Sequence, residues 1–158
     1  MNLTFISDSH CIDHQRLSVL LKNGEGKLFH SGDITMSGKR SEIFYFLDWF
    51  SSVGNYDQRF FIAGNHDAGF ASSFKREIIG FLKEFPNVIY LEDSMSSFKA
   101  EDRIINVYGS PWQPIFANDA FNLSSSQLKA KWSLIPENTE ILLTHSPPYG
   151  YGDISYSL

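Results

Sequence analysis

A single cysteine, Cys11, in 158 residues excludes an internal disulfide, which fits a reducing compartment and argues against a small secreted scaffold held by bridges. Long apolar runs are missing as well. The opening Met1-Asn2-Leu3-Thr4-Phe5-Ile6-Ser7 has no basic head and only a short apolar stretch, so neither a targeting signal nor a membrane span is expected. The expected compartment is the cytoplasm. Positive charge is scarce: 13 Lys and Arg against 18 Asp and Glu leave a net charge of −5, without the basic face that a nucleic-acid backbone requires. Small phosphate-bearing molecules are not excluded, because bound cations reverse the local field. There is no repeat, low-complexity tract or linker, so one domain over residues 1–158 is expected, able to bury roughly 70% of its unfolded surface. Histidine is sparse too, with five in all and none after His145.

What is present is a core-forming composition, 42% hydrophobic and 15% aromatic, well outside the disordered range. Apolar runs over Leu3 to Ser7, Lys27 to Ser31, Arg59 to Ala63, Val88 to Leu91, Arg103 to Tyr108 and Ile141 to Thr144 read as strands. Between them, Arg16 to Lys22, the stretch from Ser41 to Gly54-Asn55, Ser72 to Phe85 and Ser124 to Trp132 read as helices. Ser94-Met95-Ser96-Ser97 and Asn122 to Ser126 read as polar loops. The alternation predicts an α/β fold around a largely parallel sheet, whose loops gather at the carboxyl ends of the strands.

Four short pieces at those strand ends carry metal-ligand side chains: Asp8-Ser9-His10, Gly32-Asp33, Gly64-Asn65-His66-Asp67 and Thr144-His145-Ser146-Pro147-Pro148. In an extended segment Asp8 and His10 point the same way and reach one ion. This carboxylate–imidazole mixture suits Mn, Fe or Zn better than Ca. Asp33 has two oxygens and can bridge two cations. The Asn65 carbonyl ligates without adding charge, and His66 is free to reach a leaving oxygen, with Asp67 accepting from its ring. Pro147-Pro148 stiffen the loop holding His145. Taken singly, each piece has an ordinary alternative: a capping Asp with a surface His, a turn, or a loop-anchoring His. His30 reads as a hydrogen-bonded core residue, His14 as solvent-facing, and Cys11 as a non-nucleophile for want of a base. Phe44, Tyr45, Phe46, Trp49 and Phe50 read as core at helical spacing.

In order and type, Asp8-Ser9-His10, Gly32-Asp33, Gly64-Asn65-His66-Asp67 and His145 resemble the calcineurin-like metallophosphoesterase family. The pieces Val107-Tyr108-Gly109-Ser110-Pro111-Trp112 and His145-Ser146-Pro147-Pro148 resemble its metallophosphoesterase-domain-containing, cyclic-nucleotide-phosphodiesterase-like branch. The resemblance implies a four-layer αββα sandwich and two divalent metal ions, with Asp8, His10 and Asp33 on one and Asp33, Asn65 and His145 on the other. It implies His66 as the residue stabilising the transition state or protonating the leaving alkoxide, with Asn65 and His66 facing the substrate. The implied reaction is hydrolysis of a small phosphodiester, such as a cyclic nucleotide, by a metal-bridging hydroxide. Family members carry a further Gly-His-Xaa-His piece that gives one imidazole to each metal, and none follows His145 here. A truncated chain is therefore expected, with an exposed sheet edge open to self-association. The alternatives are a naturally short variant, or a degenerate metal- or nucleotide-binding module with little or no turnover.

Overall fold

Residues 1–12 and 14–153 are described by the structure, a computed structural model. Four strands, β1 (Leu3–Ile6), β2 (Glu25–His30), β3 (Asn55–Phe61) and β4 (Val88–Tyr90), form a wholly parallel sheet in the order β1-β2-β3-β4. The connections are α1 (His14–Leu21), α2 (Arg40–Ser52) and α3 (Lys75–Leu82), the last preceded by a 3₁₀ turn at Ala68–Ala71. Right-handed crossovers that always step the same way place all their helices on one face of the sheet. The core shows this arrangement. Ile43, Phe46, Leu47 and Phe50 of α2 and Ile78 of α3 pack with Leu28 and Phe61 of the sheet. The other face is left free for a second sheet.

That second sheet is β5 (Ser94–Ala100), β6 (Arg103–Ser110) and β9 (Ile141–Thr144), with β5/β6 antiparallel and β6/β9 parallel. Phe29 and Phe60 of the first sheet meet Phe98, Ile105 and Val107 of the second in a separate core. Ring centroids there lie 5.8 Å apart for Phe60–Phe98 and 6.3 Å for Phe29–Phe98. Helices, parallel sheet and mixed sheet make three packed layers. A short pair, β7 (Gln113–Pro114) and β8 (Asn122–Leu123), leads into α4 (Ser125–Trp132), which Ser124 caps by accepting from the Gln127 amide. On the second sheet, Ile104 and Leu142 are 57% and 46% exposed, whereas Tyr108 and Ser110 are buried. No helix among these residues is long and apolar enough to cross a membrane.

Several local expectations differ from the structure. Ser94 to Ser97 is not a loop but the start of β5; an edge strand tolerates serines, and only Phe98 and Ala100 are buried. The Asn122 to Ser126 loop contains β8. The helix expected over Ser72 to Phe85 narrows to Lys75–Leu82, and β3 spans Asn55–Phe61 rather than Arg59 to Ala63. Ile62 and Ala63 are nevertheless fully buried, because they lead the chain into the strand-end loops. His14 is the plainest reversal, being 3% exposed where solvent exposure was expected. Its ring stacks on Trp49 at 4.0 Å and on Tyr45 at 5.0 Å, and neither nitrogen has a hydrogen-bond partner among the described residues.

Burial lowers the His14 pKa from 6.5 to about 4, so between those values the unfolded chain binds the proton that the folded chain refuses. Stability contributed by neutral His14 is complete above pH 6.5 and is lost as the pH falls toward 4, with an upper bound of about 3 kcal/mol. Denaturant midpoints of wild type and His14→Phe, compared across pH 7 to 4, should diverge in favour of the variant as the pH falls. Parallel curves would contradict the assignment.

Candidate metal centre

Each candidate ligand sits just past the carboxyl end of a parallel strand: Asp8 and His10 after β1, Asp33 after β2, Asn65 and His66 after β3, His145 after β9. Backbone bonds stitch these exits together, the Asp8 amide donating to the Gly32 carbonyl at 3.0 Å and the His10 amide to the Asp33 carbonyl at 3.0 Å. Asp8 and His10 are not in extended backbone as expected. Their φ values are +55° and +44°, and Cys11 and Asp33 lie at +58° and +54°. A left-handed conformation at such residues is costly and persists only where the surroundings enforce it. The loop therefore presents both side chains through a turn rather than through strand alternation.

Asp33 is the hub. Its Oδ2 lies 3.6 Å from His10 Nε2 and its Oδ1 lies 3.4 Å from His145 Nε2. The ligand atoms of Asp8, His10 and Asp33 all fall within 4.8 Å of one another. On the other side, His145 Nε2 lies 2.8 Å from Asn65 Oδ1. The surroundings decide which lone pairs face inward. His10 Nδ1 and His145 Nδ1 each sit 2.9 Å from a carbonyl oxygen, of Thr35 and Ser31 respectively. A carbonyl only accepts, so both Nδ1 atoms carry hydrogen and both Nε2 atoms keep a lone pair when the rings are neutral. The Asn65 amide nitrogen donates to Asp119 Oδ2 at 2.9 Å. A carboxylate offers acceptors alone, which turns Asn65 Oδ1 toward His145. Lone pairs of nitrogen and oxygen thus converge with their donors spent elsewhere, and a cation is what relieves that arrangement. The mixed nitrogen and oxygen donors fit a divalent transition metal.

Two glycines leave room for this geometry. A Cβ at Gly32, whose φ is +101°, would lie 2.7 Å from His145 Nδ1 and 2.9 Å from the Ala63 carbonyl. A Cβ at Gly64 would collide with Asp33 Oδ1 and come within 2.9 Å of His145 Cε1.

Electrostatics follow the same pattern. Burial works to raise the Asp33 carboxyl, but the His145 ring and the His66 amide, which donates to Oδ1 at 2.9 Å, outweigh it and lower its pKa. Burial works to lower His145, while Asp33 prevails and raises it. His66 is raised above 6.5, first by the Met36 carbonyl 2.7 Å from its Nδ1. The bond expected from the His66 ring to Asp67 is therefore not made; Met36 supplies that acceptor. Asp67 is fully buried and accepts from Ile34 N, Thr35 N, Thr35 Oγ1 and Gly64 N at 2.7–3.1 Å. It fastens the β2 exit to the β3 exit, a positioning task rather than contact with reacting atoms. Burial raises its pKa against the pull of those four donors.

His30 is wholly buried, as its core reading requires, with Nδ1 accepting from the Gly32 amide at 3.3 Å and Nε2 placed 2.9 Å from Ser9 Oγ. It thus holds the loop between Asp8 and His10. The Cys11 thiol is pushed up to about 12 by burial, and it donates to the Ile34 carbonyl at 3.1 Å. It is no nucleophile. The residue that the sequence reading missed is Asp119, which lies in a stretch of no recognisable pattern, 54 positions beyond Asn65.

With this geometry in view, comparison with known proteins gives the family. The calcineurin-like phosphoesterase family model matches residues 1–157, and the chain belongs to that family. It is similar to metallophosphoesterase domain-containing protein 1 of Homo sapiens and of Mus musculus, with 38% identity over 146 residues in each case. Those matches cover 80% of this chain and 43% of each relative, so the chain spans less than half the length of these proteins. Its fold is similar to that of the phosphopantetheinyl hydrolase PptH from Mycobacterium tuberculosis, with a TM-score of 0.51 and 17% identity, covering 96% of this chain and 57% of that one.

Replacing Asp119 tests how the Asn65 amide is oriented. Asp119→Leu should weaken uptake of one Mn ion by about 10- to 100-fold, the usual cost of losing a residue that orients a ligand. Asp119→Asn, which keeps a carbonyl acceptor, should restore most of it. Titration calorimetry with Mn reads both, and unchanged uptake in Asp119→Leu would contradict the role.

Proposed function

We propose that this chain is a metal-dependent phosphoesterase that hydrolyses a small phosphodiester, a cyclic nucleotide being one candidate. The observation that carries the proposal is the convergence of His10 Nε2 and His145 Nε2 on the two oxygens of Asp33, with Asn65 Oδ1 against His145 Nε2. Asp8, His10 and Asp33 would hold one ion, and Asp33, Asn65 and His145 the other, with Mn, Fe or Zn suited to the donors. When bound, such a pair lowers the pKa of water and neutralises charge on phosphoryl oxygens.

The chain's own residues supply the rest. Asn65 adds a ligand without adding negative charge, so an anionic ester is not repelled by a further carboxylate. His66 keeps its Nδ1 hydrogen on the Met36 carbonyl, and its raised pKa favours the doubly protonated ring. Its Nε2 is then a proton donor for the departing alkoxide. Asp67 and His30 hold the ligand loops and do not exchange protons with substrate. Ions held by these residues would keep coordination positions for water and for the phosphoryl oxygens.

Hydrolysis of bis(p-nitrophenyl) phosphate with added Mn should be detectable. Asp33→Asn should abolish it, and His66→Gln should lower kcat by about 10²- to 10⁴-fold, the usual worth of a general acid. His66→Gln should also leave Mn uptake intact. If both variants match the wild-type rate, the roles are wrong. Tight Mn uptake without turnover of any diester would instead favour a binding module.

A further inference from the structure

The strand-end site opens onto a cavity of about 920 Å³ whose lining combines two chemistries. It includes Asp8, Asn65 and His145, the candidate ligands, and also Phe116, Trp132 and Leu142. These three apolar side chains are 70%, 47% and 46% exposed, an unusual concentration of large apolar surface beside a polar centre. Among the described residues that line the cavity there is no lysine or arginine, and its charged groups, Asp8 and Asp153, are acidic. A second cavity, of about 650 Å³ along α3, carries Lys75, Arg76 and Lys83 but holds none of the candidate ligands.

We infer that the substrate is a phosphodiester bearing one negative charge, one of whose ester arms is an apolar aromatic group seated against Phe116, Trp132 and Leu142. The inference rests on the proposed phosphoesterase reading and narrows its substrate class. Charge is the first argument. A polyphosphate chain brings negative charge beyond the reach of the Asp33 centre, and the described residues lining the cavity offer no lysine or arginine to receive it. A diester monoanion would need only cations held at Asp33. Shape and continuity are the second argument. The apolar wall belongs to the same cavity as Asn65 and His145, so a group esterified to a phosphate held there would share the cavity with this wall. Planar rings match such a wall through stacking on Trp132 and Phe116. The wall and the metal ligands have separate origins in the chain: Trp132 ends α4, Phe116 lies in the loop after β7, and Leu142 lies on β9. Substrate preference can therefore be altered without touching the metal ligands.

Calorimetry on the Mn-loaded chain tests this without depending on turnover, with diphenyl phosphate, diethyl phosphate and tripolyphosphate as probes. Diphenyl phosphate should bind at least tenfold more tightly than diethyl phosphate, which has the same charge and no ring, and more tightly than tripolyphosphate. Phe116→Ser and Trp132→Ser, both at exposed positions, should each reduce that preference while leaving Mn uptake and diethyl phosphate affinity unchanged. Equal affinities for the two diesters, or a preference untouched in both variants, would overturn the inference. So would sedimentation showing a wild-type dimer that Phe116→Ser dissociates, because the wall would then be a contact between copies. If no diester is hydrolysed but the aromatic preference and its loss in the variants are found, the cavity assignment stands and the catalytic reading fails.

Discussion

One carboxylate governs the arrangement: Asp33, 4% exposed, with one oxygen toward His10 and the other toward His145. A buried carboxylate without partners is expensive and drives its own protonation. Here the His145 ring and the His66 amide outweigh burial and favour the ionised form. The loops around it are shaped to that end, with left-handed backbone at Asp8, His10 and Asp33 and glycines where a side chain would strike the carboxylate or the His145 ring. The α/β frame makes this possible. Parallel strands deliver their carboxyl ends to one edge, and two sheets packed through Phe29, Phe60 and Phe98 bring the β9 exit to the same place.

Around the ligands lies a set of buried groups that do no chemistry themselves but determine where the ligands stand. Asp67 ties the β2 and β3 exits through four donors, and His30 holds Ser9 between two ligands. Asp119 orients Asn65, and the Ser31 and Thr35 carbonyls select the tautomers of His145 and His10. Losing a partner of this kind typically costs about 10- to 100-fold in metal affinity.

How much of this could be read from sequence follows from which signals are local. Apolar runs ending in Asp8, Asp33, Asn65 and His145 marked the strand ends, because a buried parallel strand needs an unbroken hydrophobic stretch. The grouping of those residues was legible for the same reason. Strand β5 escaped notice because an edge strand needs burial only at Phe98 and Ala100, and its serines look like a loop. His14 was misplaced because its burial depends on Trp49 and Tyr45 from another helix. The acceptor for His66 was misassigned because adjacency to Asp67 is a weaker guide than the return of the Met36 carbonyl to the ring. Asp119 left no pattern at all, since its link to Asn65 is made only by the folded chain.

The measurement that bears most directly on the central claim is an anomalous difference map from crystals of this chain soaked in Mn. Two peaks about 4 Å apart, flanking the Asp33 carboxylate, are expected, one within coordination distance of Asp8 and His10 and the other of Asn65 and His145. A map with no peak in reach of Asp33, under conditions where Mn binds in solution, would contradict the account.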